Sequence, residues 1–189
     1  MLSCIFFIAT LSGVTASVPR VGILHADQAE LPNLQNFLQE AFPGGVGMWD
    51  GSFLVPPVTW LQQYDALLMF SNYEWINSTA ACANVATYLD QGGRVVTGVF
   101  STFTNEESPG TVCIDGKFNS TYLVIVPEIG EDTYTSGTDS LGTVYLPNHA
   151  IMQGISNFTY DNIWEPVPPQ QLVGNSYKVA DWKNGAVMV

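Results

Sequence analysis

His25 and His149 are the chain's two imidazoles, and each stands where acid–base or binding chemistry is conceivable. His25 closes the apolar run from Val21 to Leu24 and is followed by Asp27. A strand-end imidazole with Asp27 or Glu74 near it in space can act as a general base or hold a ligand hydroxyl. The blander alternatives are a hydrogen-bonded strand-end histidine at 25 and a cap or turn residue at 149. Asn72, Tyr73 and Glu74 follow a second apolar run and would share the rim with His25, as would Ser101 beyond a third. Trp49, Tyr73 and Trp75 are aromatic rings suited to stacking on sugar faces, although core packing uses such rings more often. Ser101 lacks the Gly-x-Ser-x-Gly flanks of a nucleophile elbow. Cys82 falls inside a helical pattern and Cys113 inside an extended one, which makes both structural. No Cys-x-x-Cys or His-rich spacing points to zinc, so neither a metal nor a cofactor is expected.

The elements that must position these residues alternate between strand and helix. "RVGILHAD" reads as a buried strand, and Asp27 with Glu30 resembles a capping box opening the helix that follows. Leu31, Leu34, Phe37, Leu38, Ala41 and Phe42 recur at helical spacing until "PGG" stops the run. "VGMWD" is a second strand. "YDALLMFS" is apolar on both faces, the pattern of a central parallel strand. A helix from about Ser78 to Gln91, with Ala81, Val85 and Leu89 inward, stops at Gly92-Gly93. "RVVTGVF" then reads as a further buried strand. Two strand–helix–strand units imply right-handed crossovers and a parallel sheet. Beyond Ser101, "TVCIDGKFNSTYLVIV" suggests two extended pieces about an Asp115-Gly116 turn, and "GEDTYTSGTDSLG" a polar surface loop. "TVYLPNHAIMQGISNFTYDNIWEP" suggests a strand and one helical turn, and "YKVADWKNGAVMV" a hairpin about Asn184-Gly185.

The bulk numbers narrow the function. The 189 residues, 47% hydrophobic, can bury the core of one domain. Five Lys and Arg against seventeen Asp and Glu give a net charge of −12, which repels phosphate backbones and anionic membranes, so nucleic acid is not an expected partner. "MLSCIFFIATLSGVTASVPR" has no charged side chain before Arg20, and its apolar centre is too short to span a bilayer. Val14 and Ala16 match the small residues preceding signal cleavage, so residues 1–16 read as a secretory signal and 18–189 as the mature domain. No membrane span is expected after its removal. An oxidising compartment would permit Cys82 and Cys113 to pair. Asn77, Asn119 and Asn157 are glycosylation acceptors by pattern. The chain stops while still extended at Val189, the reading of a fragment whose partners include other domains of a longer chain.

The succession of "RVGILHAD", "YDALLMFS", a helix ending in "GG", and "RVVTGVF" resembles class I glutamine-amidotransferase-like domains. Within them, "NHAIMQGISNFTYDNIW" is similar to the trehalose-utilisation (ThuA-like) stretch in which His-Pro-Ile leads to Gly, Phe and Asp-Glu-x-Tyr. His149, Ile151, Gly154, Phe158 and Asp161 fit it. Ala150 replaces the proline, Asn162 the glutamate, and Ile163-Trp164 stand in place of x-Tyr. The resemblance implies an α/β, flavodoxin-like doubly wound, mostly parallel sheet with helices on both faces. It places ligands beyond the carboxyl ends of the strands. It also requires a cysteine in a Gly-x-Cys-x-Gly turn after the fourth strand, activated by a histidine and facing backbone amides that hold the oxyanion. Gly98 matches the first glycine, but Phe100 holds the cysteine position and Thr102 the second glycine. The glycine pair that supplies oxyanion amides after the third strand is replaced by Ser71-Asn72. The expectation is therefore a secreted pseudoenzyme, a binding or structural module for which carbohydrate is the candidate ligand. The alternative is a ThuA-like enzyme of sugar metabolism using His25, Glu74 and His149 without a covalent intermediate.

Overall fold

The computed structural model describes residues 18–28, 31–98, 103–104, 116–124, 128–129, 134–164, 172–174 and 176–183. They form two compact units, the first of residues up to 123 with 128–129, the second of 124 and residues from 134 onward. The capping residue Glu30, the turn residues Phe100, Ser101 and Thr102, Cys113, Asp115 and the Asn184-Gly185 hairpin lie outside the described residues.

In the first unit, β1 (Val21–Ala26), α1 (Pro32–Ala41), β2 (Val46–Asp50), α2 (Val58–Leu61), β3 (Ala66–Ser71), α3 (Ser78–Asp90) and β4 (Val95–Thr97) follow one another. Every strand pairing is parallel and the order is β2-β1-β3-β4, the start of the flavodoxin-like order. β1 and β3 are central and buried almost throughout, which is why their sequences run apolar without alternation. Leu24, Ala26, Leu67 and Met69 enter a core with Leu61 of α2 and Ala81, Cys82, Val85 and Tyr88 of α3. Each fully buried Leu or Met there stabilises the fold by about 1.5–3 kcal/mol. Crossovers of one hand leaving β1 and β3 in opposite directions put α1 on the other face, where Leu38 and Phe42 are buried. Tyr64 lies across the start of β1 and β2, with its ring 4.8 Å from that of Trp60. A Cβ on Gly47 would overlap its hydroxyl, so that strand position must be glycine.

Several sequence expectations for this unit need correction. α1 begins at Pro32 behind Leu31, which makes no side-chain cap; proline at the first helical position takes the role given to Asp27 and Glu30. Phe37 and Ala41 face solvent because only the strip through Leu38 meets the sheet. β4 is three residues long and half exposed, since it has β3 on one side only among the described residues. Gly116–Thr121 is a helix, α4, rather than the second arm of a hairpin. Phe118 is buried in the core beside α3, and Lys117 pairs with Asp90 at 2.5 Å. These contacts outweigh the turn signal of Asp-Gly. Two short strands, β5 (Phe103–Thr104) and β6 (Glu128–Ile129), pair in parallel.

The second unit is antiparallel, with β7 (Tyr134–Val144) between β8 (Thr159–Trp164) and β9 (Ala180–Trp182). The stretch read as a polar loop is thus mostly β7. Its Thr, Ser and Gly residues give polar positions that suit a half-exposed antiparallel strand. Leu141 and Val144 pack towards Ile151, Met152, Val179 and Ala180. Ala150–Met152 is the expected single helical turn, of 3₁₀ type.

Candidate functional site

Parallel pairing brings side chains of equal register to one face, and it aligns Asp50, His25 and Phe70 in a row at the carboxyl edge of the sheet. The His25 ring stacks on Phe70 at 5.9 Å and is 1% exposed. Its Nδ1 is buried and has no hydrogen-bond partner among the described residues. Left without a partner, such a nitrogen costs the fold about 1–3 kcal/mol. Burial lowers the His25 pKa below its ordinary value, while the Asp50 and Asp27 carboxylates pull it back up. The imidazole is therefore neutral at pH 7.

Asp50 was not among the residues singled out from sequence. Its Oδ1 accepts from the Ser52 backbone amide at 2.9 Å and from Ser52 Oγ at 2.5 Å. The loop it opens is tied to its neighbours through Gly51, whose amide donates to the His25 carbonyl at 2.6 Å and whose carbonyl accepts from Ile76 at 2.9 Å. A Cβ at 51 would overlap the Trp75 ring, so this crossing also demands glycine. Trp49 Nε1 donates to Leu54 O at 2.8 Å and closes the same loop.

The other expected residues divide. Asp27, Asn72, Tyr73 and Glu74 all leave the carboxyl edge, and the last three are exposed. Trp75 is buried in the core rather than on the rim. Asn72 and Tyr73 both donate their backbone amides to the Ala26 carbonyl, each at 2.8 Å. Gln28, just beyond Asp27, has φ 50, a left-handed conformation unusual for a non-glycine residue.

His149 belongs to the second unit and caps its 3₁₀ turn. Nδ1 accepts from the Ile151 amide at 3.3 Å, and Nε2 lies 3.2 Å from the Tyr177 hydroxyl. Since Nδ1 accepts, the ring proton sits on Nε2 and points to Tyr177. Nearby, Asp181 Oδ2 accepts from Tyr145 at 2.6 Å and from Lys178 at 2.9 Å.

Asn77 caps α3 through Oδ1, which accepts from Ala80 at 2.9 Å, and its amide nitrogen is not used by that cap. Asn77 and Asn157 are exposed, and Asn119 lies in α4. Cys82 is buried in α3. Among the described residues no group of three or more His, Cys, Asp or Glu gathers for a metal ion, and no helix is long and apolar enough to cross a membrane. An open cleft at the opposite, amino-terminal edge is lined by Tyr64, Tyr88 and Arg94. Its central hydroxyl is already committed: Tyr88 donates to Tyr64 O at 3.1 Å and accepts from the Arg94 amide at 3.3 Å.

No family model matches the sequence, and neither does any curated protein. A solved structure does: that of a protein described as ThuA-like from Bacteroides uniformis, with a TM-score of 0.54 and 13% identity, covering 93% of this chain and 82% of that one. At that identity the likeness shows the fold, a flavodoxin-like α/β architecture shared with the ThuA-like protein.

Proposed function

We propose that the chain is a secreted, non-catalytic, carbohydrate-binding module of amidotransferase-like fold, with its ligand at the carboxyl edge beside His25. The carrying observation is the double hydrogen bond to Ala26: the amides of Asn72 and Tyr73, each 2.8 Å from that carbonyl, are turned inward. In an amidotransferase the amides after the third strand meet the oxyanion, and donors spent on a backbone carbonyl are withdrawn from that role. Phe100, at the position the resemblance gives to the nucleophile, supports the same reading from sequence, since a phenyl ring neither attacks nor ionises. What remains suits recognition: an exposed Tyr73 ring and the exposed Asn72 side chain, above the buried His25. Exposed Asn77 and Asn157 acceptors accord with a secreted module. Other domains of a longer chain are proposed as further partners.

The test is to titrate the purified chain with neutral and charged oligosaccharides while assaying glutaminase and glycosidase turnover. Binding without product, weakened in His25→Gln, is the expected result. Turnover of glutamine abolished by Ser101→Ala overturns the reading.

One observation favours a second reading, a ThuA-like sugar enzyme working by acid–base chemistry. Burial favours the neutral form of His25 against the opposing pull of Asp50 and Asp27, and the neutral form is the state a general base needs. Product formation lost in His25→Gln would select it.

A further inference from the structure

The ionic groups of the first unit are segregated along the strands. Arg20 precedes β1 and Arg94 precedes β4, while Lys117 pairs with Asp90 at the end of α3 that leads into β4. Glu40, Asp65 and Asp90 stand at this amino-terminal edge too, so three carboxylates match three cations there. At the carboxyl edge Asp27, Asp50 and Glu74 have no counterpart: the described stretches 26–28, 50–57, 71–77 and 98 contain no Lys or Arg.

Two independent features share that edge. His25, in register beside Asp50, has its Nδ1 buried and without a partner among the described residues. Large apolar side chains also stand out of the rigid loops there, with Phe53 63%, Ile76 59% and Tyr73 48% exposed. The loops carrying them are cross-tied by the bond from the Ile76 amide to Gly51 O. Uncompensated carboxylates beside exposed rings are the two halves of ammonium recognition, by charge and by cation–π contact. Exposed rings also receive the apolar faces of pyranose rings.

We propose that the carboxyl edge selects a cationic carbohydrate, an oligomer of amino sugars, with its ammonium groups at Asp27, Asp50 and Glu74 and its sugar faces on Tyr73 and Phe53. The proposal rests on the carbohydrate reading above and narrows it to one charge class.

The experiment titrates the full chain by calorimetry with a glucosamine hexamer, an N-acetylglucosamine hexamer, a glucose hexamer and tetralysine. The glucosamine hexamer should bind about tenfold or more tighter than either neutral sugar, and that advantage should shrink as ionic strength rises past about 0.15 M. Asp27→Asn with Asp50→Asn should abolish the advantage, because asparagine keeps the acceptor that Ser52 uses and removes only charge. Glu74→Gln, at an exposed position that folding does not need, should reduce it in the same direction. Equal binding of all three sugars overturns the charge assignment and leaves the carbohydrate reading standing. Failure of all three sugars to bind removes both. Tetralysine binding as tightly as the glucosamine hexamer overturns the sugar component, and variants that bind like the parent overturn the location.

Discussion

Replacing His25 with phenylalanine should remove one proton's worth of acid sensitivity from the fold. The folded chain holds His25 1% exposed and with a lowered pKa, chiefly through burial and against the pull of Asp50 and Asp27. In the unfolded chain the same group titrates near its ordinary value of about 6.5. Above that value both states are neutral, and the contribution to stability is fully present. As pH falls below it, the unfolded chain takes up a proton that the folded chain refuses, so stability drops. The loss continues until the folded pKa is passed, with a limiting slope of about 1.4 kcal/mol per pH unit for one proton. Phenylalanine can occupy the same stack on Phe70 and does not titrate. It also removes the unsatisfied Nδ1, which offsets its larger volume, so stability at pH 7 should change by less than about 1.5 kcal/mol. Urea unfolding followed by tryptophan fluorescence, from about pH 7.5 down to about pH 5, gives both curves. Their difference isolates His25, because His149 and the carboxylates are common to both proteins. Either of two results would refute the reasoning: a difference flat with pH would mean that His25 binds its proton equally well in both states, and a parent that gains on the variant as pH falls would mean that it is charged in the fold and paired with Asp50.

Gly47→Ala should destabilise the first unit by about 2–4 kcal/mol, read as a lower urea midpoint with unchanged slope. The new methyl displaces the Tyr64 ring, adding an overpacking cost to the loss of its contacts with Trp60 and with the Arg20 guanidinium 5.3 Å from the ring. A shift under about 0.5 kcal/mol would mean that Tyr64 has room the structure does not show. In the second unit, Lys178→Met strips the buried Asp181 carboxylate of its ion pair at 2.9 Å and leaves only the Tyr145 hydroxyl. About 2–4 kcal/mol should be lost at pH 7, and the difference should narrow in alkali as Lys178, whose pKa the Asp181 carboxylate raises above its ordinary value, gives up its proton. A loss that is constant with pH would assign Lys178 a packing role instead.

What the sequence revealed depended on how completely each element is buried. β1, β3 and α3 were legible because one condition, burial on both strand faces or along a helical stripe, writes itself as an unbroken pattern. β7 was not: half its surface is wet, so Thr, Ser and Gly fill it, and the same composition describes a loop. Asp115-Gly116 carries a genuine local turn preference, yet Gly116–Thr121 is helical because Phe118 is worth more inside the core than a hairpin is worth locally. The site shows the same division. His25 was visible at a strand end, and Asn72 to Glu74 after the next. Asp50 was invisible, because its neighbourhood with His25 comes from the pairing of β1 with β2, and register between strands is not written in either strand alone. Trp75 was misplaced for a related reason: only the close crossing at Gly51 lets its ring turn inward.

That crossing also bears on the choice between a binding module and an enzyme. Gly51 spends its amide on His25 and its carbonyl on Ile76, Asp50 is fixed by Ser52, and Trp49 locks Leu54. The loops after β2 and β3 are thus fastened to each other and to the end of β1 by backbone bonds, and the side chains they carry are positioned before any ligand arrives. Such preorganisation cuts the ordering cost of binding. It serves oxyanion stabilisation only where donors face the charge that develops in the transition state, and here the Asn72 and Tyr73 amides face Ala26 instead. A carboxyl edge whose Asn72 and Tyr73 amides turn inward, while the Tyr73 and Glu74 side chains stand exposed, accords with the proposed binding module. The measurement that divides the two is whether His25→Gln loses affinity alone or product as well.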